Sequence, residues 1–139
     1  MRFGARSAVR TLALASFVSS YDRFAMAPLL LVIAADLDVS LGAVAVAAGG
    51  YYLAYGLTQP VWGIACERRG RVATMRLGLL GAAAAGLASA AAPDLGTLAV
   101  TRGVTGGCFS AVIPAALVYV GDSWPAAERQ RPPSDVLPA

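Results

Sequence analysis

The chain has 139 residues, the size of one ordinary domain, yet 58% are hydrophobic and only 14% charged, with a mean hydropathy of +0.65. Globular chains average about 25% charged residues, so an ordinary soluble domain is excluded and a lipid-embedded, all-α chain is indicated. With no His and only two Cys, the common metal sites, acid–base pairs and disulfide scaffolds drop out, and the +3 net charge rests on 11 basic residues that are all Arg.

Crossing a hydrocarbon core of about 30 Å takes about 20 mostly apolar residues, and four such runs follow one another. Residues 1–10, with Arg2, Arg6 and Arg10, form a basic N-terminal segment, and the first span is predicted over 11–35. That span is interrupted at its centre by Asp22-Arg23, a depth at which charge costs several kcal/mol unless it is paired or hydrated. A competing reading takes Thr11 to Val18 as the apolar part of a secretory leader. Against it, the apolar run resumes at Phe24 and continues to Ala35, long enough to cross the membrane.

The second span is predicted over 40–65, uncharged throughout, entered through the polar signal Asp38-Val39-Ser40 and left at Glu67-Arg68. A short loop over 66–71 leads to the third span, 72–92, which holds only Arg76 near its first turn. Pro93-Asp94 makes the next turn. The fourth span, 95–121, holds only Arg102, and residues 122–139 form a proline-rich tail.

Orientation follows from the arginines, because Lys and Arg accumulate in short cytoplasmic loops. Nine of the 11 lie before the first span, around the 66–71 loop, or in the tail. The other two turns carry only Asp36, Asp38 and Asp94. Both termini are therefore expected on the cytoplasmic side of a cell membrane, with the lipid bilayer as the chain's surroundings. The same dispersal over three segments excludes nucleic acid as a partner.

Apolar residues alone do not hold helices together in lipid, so close packing is expected at small residues four apart. Gly78, Ala82, Gly86 and Ala90 make one such ridge and Gly103, Gly107, Ala111 and Ala115 another, although an Ala-rich composition produces similar spacings by chance.

The loop after the second span reads Gly63-Ile64-Ala65-Cys66-Glu67-Arg68-Arg69-Gly70-Arg71. By itself it is a tight turn with Gly70 at its corner, Glu67 available to pair with an Arg, and the cluster anchored at the headgroups. It also resembles the signature loop of major facilitator superfamily transporters, Gly-x-Leu-Ala-Asp-Arg-x-Gly-Arg-Arg. Gly63, Arg68, Gly70 and Arg71 match that pattern, Glu67 replaces the Asp, and Ala65, Cys66 and Val72 depart from it. Gln59-Pro60-Val61-Trp62-Gly63 is similar to the preceding helix end in that family. The fourth span adds Arg102-Gly103-Val104-Thr105-Gly106-Gly107 where the family has an Arg before a Gly-rich face. The segment from Pro114 through Gly121 to Arg129 resembles the approach to a fifth helix.

This resemblance implies a partial transporter fold, with the signature loop in gating, Arg102, Gly106 and Gly107 in the helix 4 motif, and a small solute as substrate. Family members have about twelve helices in two halves. The chain is thus expected to be completed by missing C-terminal helices or a second chain, and its role is transport rather than catalysis, with no cofactor or metal.

Intramembrane ionisable groups are functional candidates by default. A carboxylate beside an Arg can lose and regain a proton, because the Arg favours the ionised form and burial the neutral one. Asp22 and Arg102 are therefore the candidates for proton coupling, a role the resemblance also implies. Counted inward from the outer span ends, however, they differ in depth by roughly 9 Å at about 1.5 Å per residue. In the alternative, Asp22 pairs with Arg23 or faces water and Arg102 reaches the headgroups. Tyr21, Tyr51, Tyr55 and Gln59 are candidates to line a polar-aromatic cavity for an amphipathic or cationic solute, the competing account being a tyrosine belt at the interface. Cys66 and Cys108 read as unpaired thiols.

Taken together these features predict proton-coupled efflux of a small solute. The alternatives are a small four-helix multidrug-type transporter acting as a dimer, with Asp22 as its membrane carboxylate, or a non-transporting membrane scaffold.

Overall fold

The computed structural model describes residues 2–123, with the side chains of residues 10–122. The tail with Arg129 and Arg131, and the side chains of Arg2 and Arg6, lie outside the described residues. The described residues form five helices and no strand: α1 (Arg2–Asp36), α2 (Leu41–Arg69), α3 (Arg71–Ala90), α4 (Leu95–Phe109) and α5 (Val112–Ser123). Four stretches are long and apolar enough to cross a membrane: Arg10–Asp36, Leu41–Arg69, Arg71–Ala90 and Leu95–Asp122.

Local chemistry sets the helix ends. Ser40 takes an extended backbone and its hydroxyl accepts the Ala43 amide at 3.2 Å, satisfying one of the N–H groups that a helix start leaves without a partner. Asp94 does the same for α4, accepting the Thr97 amide at 2.9 Å and the Thr97 hydroxyl at 2.8 Å. Between α2 and α3 the connection is tighter than the 66–71 loop expected from sequence, for only Gly70 leaves the helix, at φ 84°. Cys66 to Arg69 contain no helix breaker, and Arg68 and Arg69 in the last turn favour the negative end of the helix dipole. The chain stays helical until glycine permits the left-handed turn.

The fourth span, expected as one helix, is two pieces joined at Ser110 and Ala111. Pro114 is the physical reason. It has no N–H for the Ser110 carbonyl four residues back, and its ring crowds that carbonyl. One turn earlier the Ala111 amide takes Cys108 O at 3.2 Å, so Gly107 O loses its usual i+4 donor.

α4 packs chiefly between α2 and α3, while α5 continues against α3 and α1. Two buried clusters result. One joins Leu12, Cys66, Met75, Ala115, Ala116 and Val120; the other joins Tyr51, Ala82, Phe109 and Val112. The small-residue ridges are used selectively. A Cβ on Gly78 would stand 2.7 Å from the Ala111 Cβ, and one on Gly107 would stand 3.4 Å from Thr58, but Gly86 has nothing within 4 Å. Large apolar side chains such as Val46, Leu57 and Leu87 face outward, as they do where the solvent is hydrocarbon.

Candidate functional site

Arg102 lies two turns inside α4 and is 6% exposed. Its guanidinium reaches Asp22 of α1 as a two-toothed clamp: Nη1 donates to Oδ1 at 2.8 Å and Nη2 to Oδ2 at 3.1 Å, with Nη2 also 3.2 Å from the Asp22 backbone carbonyl. The depth difference anticipated from sequence is therefore bridged by the long Arg side chain. Asp22 does not pair with its neighbour Arg23; adjacent residues on a helix do not face each other. A fork-on-fork pair of this type is strong and directional, and it joins residues 80 positions apart.

Tyr51 forms the floor beneath the pair. Its ring lies 4.9 Å from the Arg102 guanidinium carbon, and the residue is only 1% exposed, so the cation meets the electron-rich face of the ring. Gly106 makes this approach possible. A Cβ there would fall onto the Tyr51 backbone oxygen and stand 2.8 Å from the Tyr51 ring. The helix 4 motif thus has a steric meaning at Gly106, and at Gly107 it lets Thr58 close in.

Arg23 occupies the adjoining position. Its guanidinium lies 4.8 Å from the Tyr55 ring centre and 5.9 Å from that of Phe24, and its backbone carbonyl accepts the Tyr52 hydroxyl at 3.0 Å. Tyr51 and Tyr55 stack at 6.3 Å, one turn apart on α2. Of the four cavity candidates these two come together. Tyr21 is 68% exposed and stacks on Phe17 at 6.3 Å, and Gln59 is exposed on α2.

At the other end of the bundle, Arg71 Nε lies 3.0 Å from the Asp122 carboxylate. Among the described residues Glu67 makes no ion pair, so the acid that meets this arginine comes from the end of α5. Gly63, Glu67 and Arg68 are exposed. Cys66 and Cys108 are both free thiols.

Sequence reasoning missed a polar knot between α2 and the break in the fourth span. Trp62 Nε1 donates to Gly107 O at 2.6 Å, Ser110 Oγ donates to it at 2.7 Å, and Thr58 Oγ1 lies 3.1 Å from it. Pro114 was the available signal, since it announces a carbonyl without its helical donor nearby.

The family model described as Major Facilitator Superfamily matches residues 12–132. Among curated proteins, the triacylglyceride transporter of Mycolicibacterium smegmatis (strain ATCC 700084 / mc(2)155) is 28% identical over 119 residues, 84% of this chain and 21% of the relative. The chain thus spans about a fifth of the length of the relative it matches.

Proposed function

The chain belongs to the Major Facilitator Superfamily, and from that premise we propose that it forms the part of a solute transporter that couples proton movement to efflux. It is a multi-pass membrane chain. The observation that carries the coupling reading is the clamp of Arg102 on Asp22. Protonating Asp22 removes the negative charge that holds Arg102, leaving the guanidinium on the Tyr51 ring and freeing α1 from α4. Losing the proton restores the clamp.

The remaining helices, or a second chain, supply the other wall of the solute path. By likeness to the relative named for triacylglyceride, the solute carries an apolar part. The termini face the cytoplasm in this scheme, since the 66–71 arginines and Arg10 lie at one end of the spans, and the Arg71–Asp122 contact secures the cytoplasmic end of α3 and α5 as part of the gate.

The test is flux across vesicles reconstituted with this chain together with the helices or second chain that complete the path, driven by an imposed pH gradient and read with a fluorescent amphipathic dye. Asp22→Asn is expected to abolish the pH-driven component, while Asp22→Glu keeps a measurable part of it. Because Asp22→Asn leaves Arg102 buried without its partner, a loss of stability on the order of 3 kcal/mol accompanies it, and helix content is followed in parallel. The double variant Asp22→Asn, Arg102→Gln is expected to recover most of that stability without recovering coupling. Undiminished pH-driven flux in a folded Asp22→Asn protein would rule the proposal out.

A further inference from the structure

The bidentate clamp uses both oxygens of Asp22 on Arg102, which leaves Arg23 without an acid. Arg23 stands thirteen residues from either end of the Arg10–Asp36 span, about 20 Å at 1.5 Å per residue, too deep for its head to reach either surface by extending along the helix. The other described acids, Asp36, Asp38, Glu67, Asp94 and Asp122, all lie at span ends or in turns. Two guanidinium groups and one carboxylate therefore meet in mid-membrane. The excess positive charge sits on Arg23, which makes no ion pair among the described residues, and its Nε is buried without a hydrogen bond.

Aromatic rings supply only part of what this cation needs. Tyr55 and Phe24 cover its faces, while the Tyr52 hydroxyl, donated to the Arg23 backbone carbonyl, holds the helix beside it. The planar fork of N–H donors, the feature that recognises carboxylate, sulfate or phosphate in two-toothed fashion, makes no hydrogen bond among the described residues. Beside it Phe24 is 67% exposed and Tyr52 51%, an open aromatic border suited to an apolar chain. We propose that Arg23, bordered by Phe24, Tyr52 and Tyr55, is the binding position for the anionic head of an amphipathic organic molecule. The assignment rests on the transporter reading for its physiological meaning and names the class of solute.

The position is distinct from Asp22 and Arg102 in its use of charge. Those two neutralise each other, whereas Arg23 has no acid beside it among the described residues. An anion bound there replaces an uncompensated charge in hydrocarbon by a charge-assisted pair, so the affinity difference between an acid and its neutral ester is large.

The experiment is equilibrium binding of dansylamino-undecanoic acid, and of its methyl ester, to the whole chain in phosphatidylcholine nanodiscs, with empty nanodiscs subtracted. Wild type is expected to prefer the acid by about tenfold or more, the range of a charge-assisted hydrogen bond. Arg23→Gln removes the preference and Arg23→Lys, which keeps the charge but not the fork, lowers it without abolishing it, with helix content checked by circular dichroism. Repeating the titration with phosphatidylglycerol in the disc distinguishes the source of the anion. Displacement in wild type but not in Arg23→Gln assigns the position to a lipid headgroup; undiminished binding assigns it to a free solute. Equal binding of acid and ester by wild type overturns the proposal even where a variant does not fold, as does a preference that survives in folded Arg23→Gln. Binding requires no flux, so an acid preference without pH-driven transport sinks only the coupling reading, and transport without the preference sinks only this one.

Discussion

Trp62 on α2 donates its indole N–H to the backbone carbonyl of Gly107 on α4 at 2.6 Å. The carbonyl is available because the kink at Ser110 and Ala111 takes away its helical donor, and the α2 side chains Trp62 and Thr58 gather around it. In lipid no water takes over the role of a lost donor.

Removing those donors is expected to weaken the α2–α4 contact in steps. Interhelical hydrogen bonds in membranes average about 0.6 kcal/mol and reach about 1.7 kcal/mol. Trp62→Phe falls near the lower figure, since Ser110 still donates to the carbonyl at 2.7 Å. Adding Thr58→Val, which removes the 2.8 Å contact to Ser110 as well, brings the loss toward the upper one. Denaturant titration of the purified protein in detergent measures this. Midpoints ordered wild type, Trp62→Phe, double variant are expected, and identical midpoints would show that the knot contributes nothing.

The four spans were legible in the sequence because hydropathy and length are local properties, and so was the Ser40 start, where a short polar side chain precedes an apolar run. Asp22 and Arg102 stood out for a related reason: isolated charges in long apolar runs demand partners. Their pairing was less legible, since span ends define depth only along each helix and say nothing of how far a flexible Arg side chain reaches across. The break in the fourth span had its signal in Pro114, whose missing N–H acts on Ser110 four residues earlier. What no local pattern revealed was that the carbonyl released nearby would meet Trp62 and Thr58, for that depends on which helices become neighbours. Gly78 and Gly86 make the same point. They belong to one ridge in sequence, but only Gly78 closely meets the end of α4 and the break after it.

Gly106 and Gly86 should respond differently to the same substitution. A Cβ at Gly106 meets the backbone oxygen of Tyr51, which cannot rotate aside, and stands 2.8 Å from the Tyr51 ring. Gly106→Ala therefore forces α4 away from α2 and loosens the ring beneath Arg102, an overpacking cost of about 1–3 kcal/mol. Gly86→Ala enters open space and is expected to change stability by less than about 0.5 kcal/mol. Thermal unfolding followed by circular dichroism separates the two. Equal effects would mean that helix propensity, rather than the approach of Tyr51, governs the site.

The start of α4 carries a pH dependence that can be separated from the membrane pair. Asp94 is fully exposed, and its carboxyl is held below the ordinary carboxylate value chiefly by the Thr97 amide and then by the Thr97 hydroxyl, both of which favour the ionised form. A carboxylate whose folded-state value is lowered contributes stability that is fully present above its unfolded value, about pH 4, and is lost as pH falls through the folded value. The helix start is thus expected to be fully capped at neutral pH and to weaken only in acid. Asp94→Asn keeps a side-chain oxygen for the Thr97 amide at every pH and removes the titration, so its melting temperature should fall less than that of wild type between about pH 5 and about pH 3, around the ordinary carboxylate range. If both proteins lose stability in parallel over that interval, the acid sensitivity lies at another carboxylate.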